Sequence, residues 1–160
     1  MSIDRSKSIE DFVNLSIVVT GFSRFELYGT DQVNYYYDAI TKVIGSEILS
    51  ELLETFHDVY EGVKDNPSAL DQEMRSKIFG SEKLGPIARN VIKLWYVATW
   101  YQLPQAWRDR FGIKPNDVTF VISPQAYPEG LLWSAIGVNP PAAKPPGYGT
   151  WQNPPLVTLS

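Results

Sequence analysis

The stretch LGPIARNVIKLWYVATWY, residues 84–101, carries the strongest structural signal in this chain of 160 residues. Pro86 suits the first turn of a helix, where its missing N–H costs nothing. Apolar residues then recur at helical spacing on two faces. The first face comprises Ile87, Val91, Leu94, Trp95 and Ala98, and the second comprises Ala88, Ile92, Tyr96 and Trp100. A helix this apolar lies inside a core or is half covered by another chain. The spacing therefore predicts a helix over 85–102, around which the remaining elements pack.

Four segments upstream of this helix show the same helical periodicity. They span about 9–20, 31–44, 47–63 and 68–78, and Gly21, Gly45 and Gly80 follow three of them as stop signals. Ser8 with Asp11 resembles a capping box for the first segment. Because the link between the second and third segments is very short, we expect those two helices to be antiparallel neighbours.

The sequence downstream of Pro104 predicts three short elements: a helical turn, a strand-like segment and a last helix. Residues 105–111 predict one more helical turn, ended by Gly112. The run VTFVI, residues 118–122, is strand-like, and it predicts either an isolated extended segment or a strand added to another chain. A last helix is expected to begin at Ser123 or Tyr127 and to end near Ile136.

The final 23 residues, 138–160, are rich in proline and glycine and cannot form a core of their own. The aromatic residues among them favour an extended arm packed on the domain or on a partner, with a disordered tail as the alternative. The sequence as a whole therefore predicts an all-α domain over 1–137, with five to six helices, followed by this arm.

Composition excludes several classes of function. The net charge is −4 and the basic residues are scattered singly, so a nucleic-acid-binding face is not expected. The chain has no cysteine, which excludes disulfides and cysteine-ligated metal clusters within it. No apolar run reaches about 18 residues, so no membrane span is predicted.

Motifs for catalysis are scarce. The only histidine, His57, lies in the middle of a predicted helix, where a surface or half-buried structural role is expected. Glycine-rich phosphate loops, calcium loops and Glu-x-x-His pairs are not found. Arg108 and Arg110 beside Trp107 suit an anion or a partner's acid, or simply a solvated turn. We therefore expect no catalytic, metal-binding or cofactor-binding residues in this chain.

Aromatic residues make up 13% of the sequence, including five Trp and nine Tyr. Such side chains dominate interface hot spots, so we expect part of them to contact a partner. The predicted partner-interface residues are Tyr96, Trp100, Tyr101, Trp107, Trp133, Tyr148 and Trp151. Two alternatives use the same rings. One is a stand-alone sugar-binding protein or enzyme with a pocket lined by Trp100 and Tyr101, and the other is a homo-oligomer.

Three blocks of the sequence resemble one known family. They are IARNVIKLWYVATWY at 87–101, SPQAYPEGLLWSAIG at 123–137 and PPAAKPPGYGTW at 140–151. Together they are similar to the small subunit of the membrane-bound, FAD-dependent sugar and polyol dehydrogenases, the sorbitol dehydrogenase small-subunit family. The resemblance covers nearly all of the chain, from about Phe12 to Trp151.

The resemblance implies a noncatalytic accessory role. In this family a large flavoprotein of the glucose–methanol–choline type oxidises the sugar, and FAD and any iron–sulfur cluster belong to that subunit. A multihaem cytochrome c subunit often carries electrons to the quinone pool. The small subunit binds the large one, assists its maturation and carries it through the twin-arginine export route. The resemblance thus implies the periplasmic side of the inner membrane. This sequence shows no export signal, so the alternatives are a leader that has been removed, a partner that carries its own signal, or a cytoplasmic complex.

Overall fold

The computed structural model describes residues 4–122, together with Ala126 and Gly130. That part of the chain forms seven α-helices and one small antiparallel sheet, which confirms the expected all-α class. The helices are α1 (Arg5–Thr20), α2 (Arg24–Gly29), α3 (Val33–Ile44), α4 (Ser46–Val63), α5 (Pro67–Met74), α6 (Leu84–Val97) and α7 (Gln105–Phe111), and the strands are β1 (Thr99–Trp100) and β2 (Phe120–Val121). The predicted last helix and the C-terminal arm lie outside the described residues.

The first helix begins earlier than the sequence pattern indicated. Asp4, and not Ser8, is the N-cap of α1, because its side chain accepts a hydrogen bond of 3.0 Å from the Ser6 amide. Gly21 ends the helix in the left-handed conformation with φ of 77°, as expected for a glycine stop.

The short helix α2 was not predicted. Ser23 and Glu26 form a complete capping box there, with each side chain bonded to the other residue's amide. Six residues are too few for a periodic pattern to appear, so only the capping signal marks this helix. The next helix, α3, consequently begins at Val33 instead of 31.

The predicted helix over 68–78 has two geometries. Asn66 caps the amide of Ala69, Pro67 occupies the first turn, and regular α5 ends at Met74. A π-helical segment, Arg75–Phe79, follows and ends at Gly80. Such wide turns are rare and occur mostly as single-turn segments adjoining α-helix.

The helix that the sequence placed over 85–102 ends at Val97. Ala98 adopts a left-handed conformation with φ of 54°, and its amide closes the last turn on the Leu94 carbonyl. The buried Asn90 then bonds the main chain of Tyr101, with its amide donating to the carbonyl at 2.8 Å and its oxygen accepting from the N–H at 3.4 Å. Residues 99–100 therefore form a strand, because these bonds hold the following chain extended beside α6.

The strand-like run at 118–122 pairs within its own chain. β2 lies antiparallel to β1, with Thr99 opposite Val121 and Trp100 opposite Phe120. The prediction that this segment is isolated, or pairs only with another chain, is therefore wrong, because one edge of β2 pairs with β1. The sequence could not show the pairing, because its partner residues were assigned to a helix.

A single apolar core joins these elements. The helix α4 contacts α1, α3 and α5, while α6 contacts α1, the π-helical segment and β1. Trp95 of α6 is fully buried, its indole N–H donates to the Ser16 hydroxyl at 2.8 Å, and Tyr36 meets its ring edge-on at 4.8 Å. This cluster fixes α6 against α1 and α3, and it places Trp95 in the core, which is one of the two alternatives left open for this helix.

Candidate interaction surface

Trp100 belongs to the interior of the chain. Its side chain is 1% exposed, and its indole N–H donates to the Asp117 carboxylate at 2.9 Å. A partner cannot contact a ring that this chain already covers. The expectations that Trp100 lines a partner interface or a sugar pocket are therefore wrong for the described fold.

Asp117 is the residue that sequence reasoning missed in this region. Its carboxylate is buried and also accepts the Leu103 amide, with one oxygen at 3.0 Å and the other at 3.2 Å. The Gln102 side chain donates to the Asp117 carbonyl at 3.1 Å. Asp117 thereby ties the loop before β2 to the segment after β1. The position of an Asp after Pro-Asn suggests only a turn, since the bonded partners lie 14 and 17 residues away.

Trp107 is also largely covered by its own chain. The side chain is 3% exposed, its indole N–H donates to the Lys83 carbonyl at 2.8 Å, and its ring packs on Phe111 at 5.3 Å. This contact docks α7 against the start of α6. The prediction of Trp107 as a partner residue is therefore wrong for most of its indole surface.

The two predicted tyrosines remain accessible to different degrees. Tyr96 is half-buried, donates to the Thr20 carbonyl at 3.3 Å and meets Phe22 edge-on. Tyr101 is exposed, and the Lys93 ammonium lies 4.9 Å above its ring. Of the predicted interface residues that the structure describes, Tyr101 is the one that presents a ring to solvent. Trp133, Tyr148 and Trp151 lie outside the described residues.

Other large apolar side chains face solvent instead. Phe25 on α2 is 87% exposed, and Tyr35 on α3 is 61% exposed. The full set of exposed large apolar residues in the described part comprises Phe25, Tyr28, Tyr35, Tyr101, Ile113, Val118 and Val121. Most of them are not among the predicted interface residues, since the aromatic clusters of the sequence lie elsewhere in the chain.

A groove collects part of this exposed surface. It lies between α3 and the segment around β2 and encloses about 450 Å³. Its lining residues are Tyr35, Asp38, Ala39, Lys42, Val43, Pro115, Asn116, Val118, Phe120 and Ile122. Most lining residues are apolar, and the two charged ones, Asp38 and Lys42, both lie on α3. A surface of this kind suits a polypeptide better than a small polar ligand.

Charge at this groove is asymmetric. Asp38 is paired with Arg5 at 2.9 Å, and this hydrogen bond raises the pKa of the Arg5 guanidinium above its usual value, so the cation stays protonated. Lys42 lines the same groove and makes no ion pair with any residue from 4 to 122. The groove therefore offers an unneutralised positive charge at its rim.

The single histidine pairs with a carboxylate from another helix. The His57 Nδ1 atom of α4 lies 3.0 Å from Asp11 of α1, and both side chains are partly buried. This pair links two core helices, which agrees with the structural role expected for His57. Across the described residues no group of three His, Cys, Asp or Glu side chains is arranged to hold a metal ion.

None of the described helices combines the length and the hydropathy needed to cross a bilayer. Comparison of the chain with protein-family models, with curated proteins and with solved structures finds no match.

Proposed function

We propose that this chain is a noncatalytic accessory subunit of an FAD-dependent sugar or alcohol dehydrogenase. It binds the large glucose–methanol–choline-type flavoprotein, stabilises it and assists its maturation. In this proposal FAD, and an iron–sulfur cluster where one is present, belong to the large subunit. A multihaem cytochrome c is a further candidate partner, and the periplasmic side of the inner membrane is the proposed location.

The observation that carries the proposal is the amount of large apolar side chain left in solvent. Phe25 and Ile113 are 87% and 74% exposed, and five further large apolar residues of the described part exceed a third. Contiguous exposed apolar surface marks interaction sites, and Tyr35 and Val118 of this set line one common groove. The three sequence blocks that resemble the small-subunit family supply the identity of the partner.

A binding subunit can assist maturation through mass action alone. If it binds only the folded flavoprotein, a free concentration of 100 times Kd stabilises that form by about 2.7 kcal/mol. This amount is a large fraction of the stability of a typical protein. The accessory role therefore requires an interface and no catalytic residue in this chain.

Co-expression tests the proposal. The large flavoprotein of the source organism is produced with and without this chain, and the soluble, FAD-loaded fraction is measured by flavin absorption and sugar oxidation. We expect both readings to fall severalfold without this chain. Equal yields and activities in the two preparations would refute the proposal. Titration of the purified chain alone with sorbitol is the control, and we expect no binding.

A further inference from the structure

The pairing of β2 with β1 determines which main-chain groups face outward. The Ile122 amide donates to the Ala98 carbonyl at 2.9 Å, and Trp100 lies opposite Phe120. Hydrogen-bonded pairs alternate with non-bonded pairs along an antiparallel ladder. The N–H and C=O groups of Val121 therefore point away from β1.

The sheet has one covered edge and one accessible edge. Asn90 occupies the outer side of the β1 segment through its two bonds to Tyr101. On the other side Val121 is 48% exposed, and none of the residues from 4 to 122 forms a third strand against β2. Free N–H and C=O groups at strand spacing are a template for an extended chain.

The groove beside α3 lies on the inner face of this sheet. Val118, Phe120 and Ile122 alternate along the chain and all line it, with Ala39 and Val43 of α3 opposite. A third strand added beside β2 would direct every second side chain toward the same groove. Small or β-branched apolar side chains fit this space, and the intervening ones would remain in solvent.

The rim of the groove indicates the charge of the occupant. Lys42 lines the α3 side without an ion pair among the described residues. The acidic residue at the rim, Asp38, is already paired with Arg5. The uncompensated charge is thus positive and favours an acidic segment.

We propose that the outer edge of β2 binds an extended segment of the large flavoprotein subunit as a third strand. Alternate apolar side chains of that segment enter the groove beside α3, and an acidic residue lies near Lys42. The identity of this partner rests on the accessory-subunit proposal, whereas the preference for an acidic, extended apolar chain does not. A second copy of this chain is a poorer occupant, because it would bring the same unneutralised Lys42 to the groove rather than an acidic residue.

A synthetic peptide provides the direct test on the full chain. The probe is the blocked heptapeptide Glu-Val-Thr-Val-Thr-Val-Glu, titrated while the amide resonances of Thr119 and Val121 are followed by NMR. We expect saturable shifts of both resonances and slower hydrogen exchange at Val121. A peptide with lysine at both ends should bind severalfold more weakly, and this difference should shrink at high salt.

The variant Val121→Pro removes the outward N–H without removing a bond to β1, since proline is tolerated on the open side of an edge strand. We expect this variant to lower the affinity for the peptide about tenfold or more. Val121→Thr keeps the amide and the branched side chain and should bind like the wild type. Thermal unfolding of both variants establishes that each is folded.

Three results would overturn the edge site. The first is no saturable peptide binding, and the second is a Val121 amide already protected in the isolated chain, which would mean that its own residues cover the edge. The third is a concentration-dependent dimer that Val121→Pro abolishes, which would identify a second copy as the occupant.

Co-expression with the flavoprotein separates this inference from the accessory role. If the Val121→Pro variant yields as much soluble flavoprotein as the wild type, this inference fails and the accessory role stands. If the wild-type chain does not raise the yield of flavoprotein, the accessory role and the assigned partner fail, whatever the peptide shows.

Discussion

At the scale of single residues, Asp117 determines how the chain runs between α6 and β2. Its buried carboxylate accepts hydrogen bonds from the Trp100 indole and the Leu103 amide. Asp117→Ala leaves both donors buried without an acceptor, and we expect it to lower the free energy of unfolding by about 2–4 kcal/mol. Urea unfolding measures this change, with the exposed Asp65→Ala as the control within about 0.5 kcal/mol. A loss equal to that of the control would contradict the role assigned to Asp117.

Ser16 provides a second residue-scale prediction in the core. Its hydroxyl accepts from the Trp95 indole at 2.8 Å and donates to the Phe12 carbonyl at 2.7 Å. Ser16→Ala leaves a buried indole N–H without an acceptor, so we expect a loss of about 1–3 kcal/mol in the free energy of unfolding. Ser50→Ala, on the partly buried side of α4, is the matched control and should change it little. If Trp95→Phe removes the penalty of Ser16→Ala in a double-mutant cycle, the bond is the cause.

Sequence reasoning at this scale left two alternatives for Trp95 and failed for Trp100 and Trp107. Trp95 repeats at helical spacing with other apolar residues, which fits a face in the core or under a partner, and the structure shows it in the core. Trp100 and Trp107 are buried by segments distant in sequence, through Asp117 and Lys83, and no local pattern reveals such contacts.

At the scale of elements, glycine has opposite effects at two helix positions. Gly21 ends α1 with a positive φ, whereas Gly62 lies inside α4 with open space around its Cα. We expect Gly21→Ala to cost about 1 kcal/mol of unfolding free energy because an L side chain is strained there. Gly62→Ala should instead stabilise the protein by about 0.5–1 kcal/mol. Thermal unfolding of the two variants measures both signs, and a shift in the same direction for both would contradict the assigned conformations.

Element boundaries show what local patterns can determine. Glycine stops predicted the ends of α1, α3 and α7 because a left-handed or extended terminus is a local property. The end of α6 was misplaced, since Ala98 adopts that conformation without being glycine. The bonds from Asn90 to Tyr101 redirect the chain there, and such a long-range contact leaves no periodic trace.

At the scale of the whole molecule, the apolar surface is divided differently from the sequence-based expectation. The tryptophan rings of the described part lie inside the fold, and the solvent-facing apolar groups include Phe25, Tyr35, Ile113 and the residues around β2. Composition predicts ring surface that a partner covers, and α2 and α3 leave the rings of Phe25, Tyr28 and Tyr35 in water. It could not indicate which rings, since that depends on how the helices pack.

This surface leads to a prediction about association. Exposed apolar area is removed by three substitutions, Phe25→Ser, Tyr35→Ser and Ile113→Ser. Each variant should keep the free energy of unfolding within about 0.5 kcal/mol of the wild-type value, because the side chain it changes is exposed. In a complex with the flavoprotein, however, at least one of them should raise the dissociation constant about tenfold or more. Urea unfolding and competition binding measure the two quantities. Unchanged affinity in all three variants would exclude these positions from the interface.

The central claim is that this chain is a partner subunit of a flavoprotein dehydrogenase. Affinity capture of the tagged full chain from its source organism tests it most directly, with the eluate examined by flavin absorption and by sugar-dependent reduction of a dye. The account predicts that a large flavoprotein co-elutes in stoichiometric amount and carries both signals. Recovery of this chain alone, or only with further copies of itself, would contradict the account.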